Sequence, residues 1–148
     1  MVEPARILVI DDDENILYSI KEILSKEGYI VHTAISGEEA LQKLKDNFYN
    51  LVIIDIRLPD IDGLELIKKF KDTLPKMRKV IITGYASLEN AIKAINLGAN
   101  VYIMKPLSPN ILLEVIDKEL RLQKEELAEL QNNVVSYAIK EAKNRPSL

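Results

Sequence analysis

Four short apolar runs in this chain each end at a polar residue. The runs cover residues 7–10, 51–54, 80–82 and 101–104, and the residues that follow them are Asp11, Asp55, Thr83 and Lys105. Short β-branched runs separated by stretches of helical periodicity are typical of strands buried on both faces of a parallel sheet. Ligands of such sheets bind at the carboxyl ends of the strands. The sequence therefore predicts that carboxylate, hydroxyl and ammonium groups meet at one edge.

Five strand–helix repeats can be traced along the chain. The second strand in chain order is predicted over residues 29–34 and alternates more than the others, as expected at a sheet edge. A helix is predicted over residues 64–71. Ser36, Ser87 and Ser108 are predicted helix N-caps. Repeats of this kind imply right-handed crossovers. We predict a flavodoxin-like (βα)5 three-layer sandwich with parallel strand order 2-1-3-4-5 and an extended C-terminal helix.

Composition excludes several classes of protein. Of the 148 residues, 47% are hydrophobic and 29% charged, which is ordinary for a globular domain. The net charge of −3 gives no support for nucleic-acid binding, and no apolar stretch approaches the length of a membrane span. The chain has no cysteine and the first residues lack a signal-peptide hydrophobic region. We expect a cytoplasmic protein without direct nucleic-acid or membrane contacts.

The polar strand ends suit a particular chemistry. Carboxylates at Asp11, Asp12 and Asp55 are ligands that Mg²⁺, or Mn²⁺, prefers. The Lys105 ammonium and the Thr83 hydroxyl can contact phosphoryl oxygens. Three crowded carboxylates also repel one another without a metal, so at least one pKa should rise. Together these residue types could hold a divalent cation and a phosphoryl group.

Each of these residues also has a purely structural explanation. Acidic residues before a helix commonly act as N-caps, which is our preferred interpretation of Asp13. Asp55 could form a turn, Thr83 could serve only as a β-former, and Lys105 could be a solvated charge. It is the joint placement of these residues, each at a strand end, that favours a functional site.

At these motifs the sequence resembles the receiver domain of two-component response regulators over about residues 5–120. The resemblance rests on an acidic pair after the first strand and on an aspartate after the third strand, followed by Leu-Pro and Asp-Gly. It also rests on Thr-Gly after the fourth strand and Lys-Pro after the fifth. Each motif is weak alone, but their order makes the combination specific.

The resemblance implies a role for each matching residue. Asp55 would accept a phosphoryl group from a sensor histidine kinase or phosphotransfer protein. Asp11, Asp12, Asp55 and the backbone carbonyl of Arg57 would hold the metal ion. The protein would be a signalling phosphoacceptor rather than an enzyme, catalysing at most its own phosphorylation and dephosphorylation.

Further residues match the switch of the family. The phosphate-binding and switch residues would be Thr83, Gly84, Tyr102 and Lys105, with Gly84 leaving room for the phosphoryl group. Lys105–Pro106 matches the usual cis peptide of the family. Arg57 and Tyr85 fall two residues past the acceptor and the threonine, where they would modulate dephosphorylation.

Two alternative functions remain open from the sequence. A haloacid-dehalogenase-like phosphatase also uses a strand-end aspartate with Mg²⁺, but it needs a second acid two residues on, where this chain has Arg57. A pseudo-receiver that accepts no phosphate could act as a dimerisation or interaction scaffold. Phosphorylation of Asp55 separates these functions from a receiver.

The C-terminal residues extend beyond a minimal receiver, predicted over residues 1–120. Leu113, Leu120, Leu127 and Val134 recur every seven residues, and Leu130 belongs to a second such series interrupted by Gln123. A helical extension over residues 121–148, with disorder at 145–148, is therefore predicted as a linker or a coiled coil.

We expect that this extension forms a homodimer through Leu120, Leu127, Leu130 and Val134. A parallel arrangement is somewhat preferred, in which Glu119 of one helix lies near Lys124 of the other, although such an exposed pair contributes little. No helix-turn-helix fits after residue 120. The signal would therefore leave through a downstream protein, through this helix, or through an output domain outside the sequence.

Overall fold

The computed structural model describes residues 3–144, which form one five-stranded parallel sheet flanked by helices. The strands are β1 (Arg6–Ile10), β2 (Ile30–Ala34), β3 (Leu51–Ile54), β4 (Arg78–Thr83) and β5 (Val101–Met104). The helices are α1 (Glu14–Lys26), α2 (Gly37–Asp46), α3 (Gly63–Lys68), α4 (Leu88–Asn96) and α5 (Pro109–Asn144). The sheet order is β2-β1-β3-β4-β5 with every pair parallel. The predicted strand order and fold class are confirmed.

Alternate residues of the central strands supply two separate cores. Leu8, Val52 and Ile81 pack with residues of α2, α3 and α4. Their neighbours Ile7 and Val80 pack on the opposite face with residues of α1 and α5. Burial on both faces explains why these strands are continuous apolar runs rather than alternating ones.

Side-chain caps begin most of the helices where the sequence predicts them. The Ser36, Ser87 and Ser108 hydroxyls accept hydrogen bonds from backbone N–H groups of the first turns of α2, α4 and α5. Asp13 caps α1 in the same way, as preferred from the sequence. The helix predicted to continue to residue 71 ends at Lys68, because Lys69 and Phe70 donate tighter, i to i−3 hydrogen bonds.

α5 has 36 residues and is therefore about 54 Å long. Its buried residues are Leu112, Ile116, Glu119, Leu120 and Gln123. Leu120, predicted to contact a second chain, is only 7% exposed and belongs to the core of its own domain. This corrects its assignment to the dimer helix. Residues 128–144 are all exposed.

Polar side chains attach α5 to the amino-terminal end of the sheet. The Arg78 guanidinium donates hydrogen bonds to the carboxylates of Glu119 and Glu126. The Gln123 amide contacts both Asn50 and the Lys76 carbonyl. Gln123, which interrupts the heptads, is thus a buried contact within the domain. Because Glu119 is buried against Arg78, it does not form the exposed pair with Lys124 of another chain that the predicted parallel arrangement included.

Membrane spans and the last four residues were also considered in the sequence predictions. Across residues 3–144, none of the helices is both long enough and apolar enough to cross a membrane. The disorder predicted for residues 145–148 lies outside the described residues.

Candidate functional site

Two aspartates lie side by side at the carboxyl edge of the sheet. Asp11 follows β1 and Asp55 follows β3, and these strands are direct neighbours. The Asp55 backbone N–H donates to the Ile10 carbonyl at 3.0 Å, which extends the strand pairing to the acidic position. Asp11 and Asp55 are 4% and 5% exposed, respectively. The topology therefore brings together two buried carboxylates that are far apart in the sequence.

One ammonium group bridges these two carboxylates. Lys105 follows β5, and its backbone N–H donates to the Thr83 carbonyl at 2.8 Å. Its side chain extends past β4, and Nζ donates to Asp11 Oδ2 at 2.7 Å and to Asp55 Oδ2 at 2.8 Å. The Lys105–Pro106 peptide bond that precedes α5 is cis. This ammonium offsets much of the repulsion between the carboxylates.

Burial and pairing have opposite effects on the pKa values in this cluster. Burial raises the pKa of the Asp11 carboxyl, and it outweighs the hydrogen bonds from Lys105 and from the Asp13 N–H. Burial alone would lower the pKa of Lys105, but its hydrogen bonds to Asp11 and Asp55 outweigh burial and raise it. The lysine is therefore held in its charged form between two acids.

A third carboxylate completes an acidic group. Oxygen atoms of Asp11, Asp12 and Asp55 lie within 4.8 Å of one another, and Asp12 is exposed whereas the other two are buried. Asp13 is not part of this group because its carboxylate caps α1 through the N–H groups of Asn15 and Ile16. Three oxygen donors at one open edge fit a divalent cation that prefers oxygen ligands.

The residues predicted to form the switch with Lys105 lie at the carboxyl end of β4 and in β5. Thr83 is fully buried, and its hydroxyl accepts a hydrogen bond from the Tyr85 N–H at 3.1 Å. No atom beyond its chain neighbours lies within 4 Å of where a Gly84 Cβ would be. Tyr102 is half-buried, and its hydroxyl accepts a hydrogen bond from the Ser87 N–H at 3.3 Å. Tyr102 thus contacts the loop that follows Thr83.

Arg57 and Tyr85, which lie two residues past Asp55 and Thr83, stack on each other. The Arg57 guanidinium carbon lies 3.7 Å from the centroid of the Tyr85 ring, within the range of a cation–π contact. Arg57 belongs to the loop after β3 and Tyr85 to the loop after β4. The contact therefore joins the two loops that follow Asp55 and Thr83.

Comparisons with known proteins agree with this geometry. Residues 7–117 match the family described as the response regulator receiver domain. The chain belongs to the response regulator receiver domain family. It is 36% identical over 124 residues to the transcriptional regulatory protein ZraR of Salmonella typhimurium, covering 84% of this chain and 28% of ZraR. It is 31% identical over 118 residues to the regulatory protein AtoC of Escherichia coli, covering 80% of this chain and 26% of AtoC.

Solved receiver structures share the fold over most of the chain. A CheY-like receiver domain protein from Methanospirillum hungatei is 48% identical with a TM-score of 0.80, covering 83% of this chain and 98% of that one. The beryllofluoride-activated NtrC4 receiver domain dimer is 36% identical with a TM-score of 0.75, covering 80% of this chain and 98% of that one. The receiver thus spans about a quarter of the curated relatives and nearly all of these solved domains.

Two residues that support the receiver site had no role predicted from the sequence. A Cβ at Gly63 would lie 2.4 Å from the Asp55 carbonyl oxygen, so only glycine lets α3 approach the backbone of the acidic strand end. The Asp60 carboxylate accepts hydrogen bonds from the Gly37 and Glu38 N–H groups, and these bonds lower its pKa. Asp60 therefore connects the loop after β3 to the start of α2. The Asp-Gly pair was a visible signal for Gly63, whereas no local pattern marks the partner of Asp60.

Proposed function

We propose that this receiver accepts a phosphoryl group on Asp55 from a sensor histidine kinase or a phosphotransfer protein. The observation that carries the proposal is the single Lys105 ammonium shared between Asp11 and Asp55 at the carboxyl edge of the sheet. Transfer to a carboxylate brings two anions together, so charge neutralisation and positioning are the main needs of the reaction. A buried acid beside a fixed cation meets both needs.

The acidic group is the proposed site of Mg²⁺, or of Mn²⁺. Asp11, Asp12 and Asp55 would hold it through carboxylate oxygens, and the Arg57 carbonyl would add a further oxygen. The donor set fits, because these cations take oxygen ligands and Mg²⁺ keeps several waters. When bound, the ion supplies positive charge against the transferred phosphoryl oxygens.

In the proposed step, an Asp55 carboxylate oxygen forms the new bond to phosphorus. The phosphorus–nitrogen bond of the donor phosphohistidine breaks, and its electron pair leaves with the imidazole, which takes a proton from solvent. Lys105 already contacts Asp55 and would contact a phosphoryl oxygen after transfer. The open space at Gly84 leaves room for that group.

The Thr83 hydroxyl is the proposed sensor of the new phosphoryl group. It now accepts a hydrogen bond from the Tyr85 N–H, and it would donate to a phosphoryl oxygen after transfer. Turning the hydroxyl away releases the Tyr85 N–H and alters the loop that contacts Tyr102. Phosphorylation would thus change the surface formed by α4, β5 and α5.

The stacked Arg57 and Tyr85 are proposed to slow loss of the phosphoryl group. Hydrolysis needs a water molecule in line with the Asp55–phosphorus bond, and the stacked pair joins the two loops that follow Asp55 and Thr83, where it would obstruct that approach. Arg57 can in addition pair with phosphoryl oxygens.

The route of output is proposed from the relatives. ZraR and AtoC are described as regulatory proteins, and the receiver corresponds to about a quarter of each. We propose that the signal passes to a downstream protein or to an output domain outside this sequence, in the cytoplasm where phosphoryl donors derive from ATP.

Intact mass after incubation with acetyl phosphate tests this proposal. With Mg²⁺ the wild-type protein should gain one phosphoryl group, and Asp55→Asn should gain none. Asp13→Asn is the matched control, because the Asp13 side chain caps α1 and lies outside the acidic group, and it should be labelled like wild type. A wild-type protein that stays unlabelled would instead support an interaction scaffold, and turnover of a phosphate ester would support a phosphatase.

A further inference from the structure

The loop after β3 contacts the Asp55 carboxylate through its own backbone. The Arg57 N–H donates a hydrogen bond to Asp55 Oδ1 at 3.4 Å, while the Lys105 ammonium contacts the other oxygen, Oδ2. The bond from Arg57 is longer than a typical N–H···O bond, so a small displacement of the loop would break it. Arg57 also carries the carbonyl proposed to bind the metal ion. The geometry of the site therefore depends on where this loop lies.

Backbone pairing closes the base of the loop. Arg57 and Asp62 form an isolated antiparallel β-bridge, and the Gly63 N–H donates to the Ile56 carbonyl at 2.6 Å. Residues 57–62 thus form a turn whose two ends are fixed to each other. The position of such a turn is set largely by the contact that holds its tip.

Asp60 fastens the tip of this turn to α2. Its two carboxylate oxygens each accept one hydrogen bond at 2.9 Å, from the Gly37 N–H and from the Glu38 N–H. These are the first two N–H groups of α2, which have no acceptor within the helix. The next N–H, that of Glu39, donates to the Ser36 hydroxyl. Asp60 is thus a second cap of α2, supplied from a different part of the chain.

The contact between the turn and α2 is close, and its charge is favourable. A Cβ at Gly37 would overlap the Ile61 side chain, so the turn lies directly against the first residue of α2. The hydrogen bonds from Gly37 and Glu38 lower the pKa of the Asp60 carboxyl, which is therefore ionised at neutral pH. The helix dipole favours an anion at this end of α2.

We propose that Asp60 is a positioning residue for the phosphoacceptor site, a role that rests on the proposed function of Asp55. By fastening the turn to α2, Asp60 holds the Arg57 backbone against the Asp55 carboxylate and close to a cation in the acidic group. Asp60 is not a member of that group, so it acts only through the loop. Release of the tip leaves the Asp55 carboxylate oriented by Lys105 alone, which weakens cation binding.

Binding of Mn²⁺ to the full chain, followed by the electron paramagnetic resonance signal of the free ion, tests this role. Asp60→Ala should weaken binding about tenfold, which is the low end of the effect of groups that orient metal ligands. Ser36→Ala is the matched control, because it removes a side-chain cap from the same end of α2 and leaves Asp60 in place. Both variants should be less stable in urea, but only Asp60→Ala should bind Mn²⁺ less tightly.

Asp60→Asn separates the hydrogen bonds from the negative charge. Asparagine removes the same charge as alanine but keeps one oxygen that can accept a hydrogen bond from α2. Its affinity for Mn²⁺ should therefore be closer to that of wild type than the affinity of Asp60→Ala is. Equal affinities of Asp60→Asn and Asp60→Ala would assign the effect to charge alone and overturn the positioning role.

The remaining outcomes distinguish this role from the metal site itself. Equal weakening by Ser36→Ala and Asp60→Ala would assign the effect to the end of α2 and overturn the role of Asp60. Unchanged affinity in Asp60→Ala, with a wild-type protein that binds Mn²⁺, would overturn the role of Asp60 and leave the proposed function intact. A wild-type protein that binds no Mn²⁺ would contradict the metal site, and the role of Asp60 with it.

Discussion

The Lys105 ammonium donates a hydrogen bond to Asp55 Oδ2 across 2.8 Å, and its other carboxylate partner is Asp11. Replacing it by Met leaves two buried carboxylates facing each other without a counter-charge. We expect Lys105→Met to destabilise the metal-free protein by about 1–3 kcal/mol, and Mg²⁺ to restore more stability than it adds to wild type. Thermal unfolding with and without Mg²⁺ measures this. An equal Mg²⁺ response in both proteins would contradict the role of Lys105 as counter-charge.

Replacing Asp12 by Asn and replacing its neighbour Asp13 by Ala should change the stability of the metal-free protein in opposite directions. Asp12 belongs to the acidic group, so Asp12→Asn should raise the metal-free melting temperature and remove most of the Mg²⁺ response. Asp13 caps α1, so Asp13→Asn should retain most of the cap and Asp13→Ala should cost about 1 kcal/mol, with the Mg²⁺ response intact. A metal-free melting temperature lowered by Asp12→Asn would show that this residue too has only a structural role.

Alanine substitutions at Gly63 and at Gly84 should differ sharply in their effect on folding stability. A Cβ at Gly63 would lie 2.4 Å from the Asp55 carbonyl oxygen, whereas one at Gly84 would meet no atom within 4 Å. Gly63→Ala should therefore cost about 1–3 kcal/mol, as in overpacked cores, and Gly84→Ala about 0.5 kcal/mol or less. Urea denaturation measures both. Equal stability of the two variants would mean that α3 can move away from Asp55 without cost.

The stacking of Arg57 on Tyr85 predicts coupled effects on phosphoryl lifetime. A contact of this kind contributes about 0.5–1 kcal/mol at an exposed site, which corresponds to about a two- to fivefold change in rate. Arg57→Ala and Tyr85→Ala should each speed phosphoryl loss by about this factor. The double variant should be little faster than either, because each single change already breaks the contact. Intact mass over time follows the loss, and unchanged rates would show that these side chains do not shield the site.

The environment of His32 predicts that the folded protein loses stability as the pH falls. Its Nδ1 lies 2.6 Å from the Tyr49 hydroxyl, and burial, followed by the charges of Arg6, Lys43 and Lys21, lowers its pKa. The unfolded chain binds this proton near pH 6.5 and the folded chain only at lower pH. The stability that the neutral His32 side chain contributes is therefore present above pH 6.5 and is lost as the pH falls below this value. His32→Gln should reduce the stability difference between pH 7.5 and 5.5, measured by urea denaturation. An unchanged difference would assign the acid sensitivity to other groups.

The central strands and their polar ends were predictable because they are local signals. A short apolar run followed by Asp55 or Thr83 shows both the strand and its end in the sequence, and parallel topology then brings the ends together. The burial of Leu120 and Glu119 in their own domain was not predictable from the sequence. Their heptad positions do not reveal that Arg78, 41 residues away from Glu119, binds α5. Asp60 was missed for the same reason, since its partners lie on α2. Such contacts depend on tertiary placement rather than on periodicity.

The most direct test of the account identifies the residue that becomes phosphorylated. Wild-type protein labelled with acetyl phosphate and Mg²⁺ is reduced with borohydride, which converts an aspartyl phosphate to homoserine, and its peptides are sequenced by mass spectrometry. Homoserine is expected at Asp55, with Asp11 and Asp12 unmodified. Homoserine at Asp11 or Asp12, or none in a protein that carries the label, would contradict the assignment of Asp55 as phosphoacceptor.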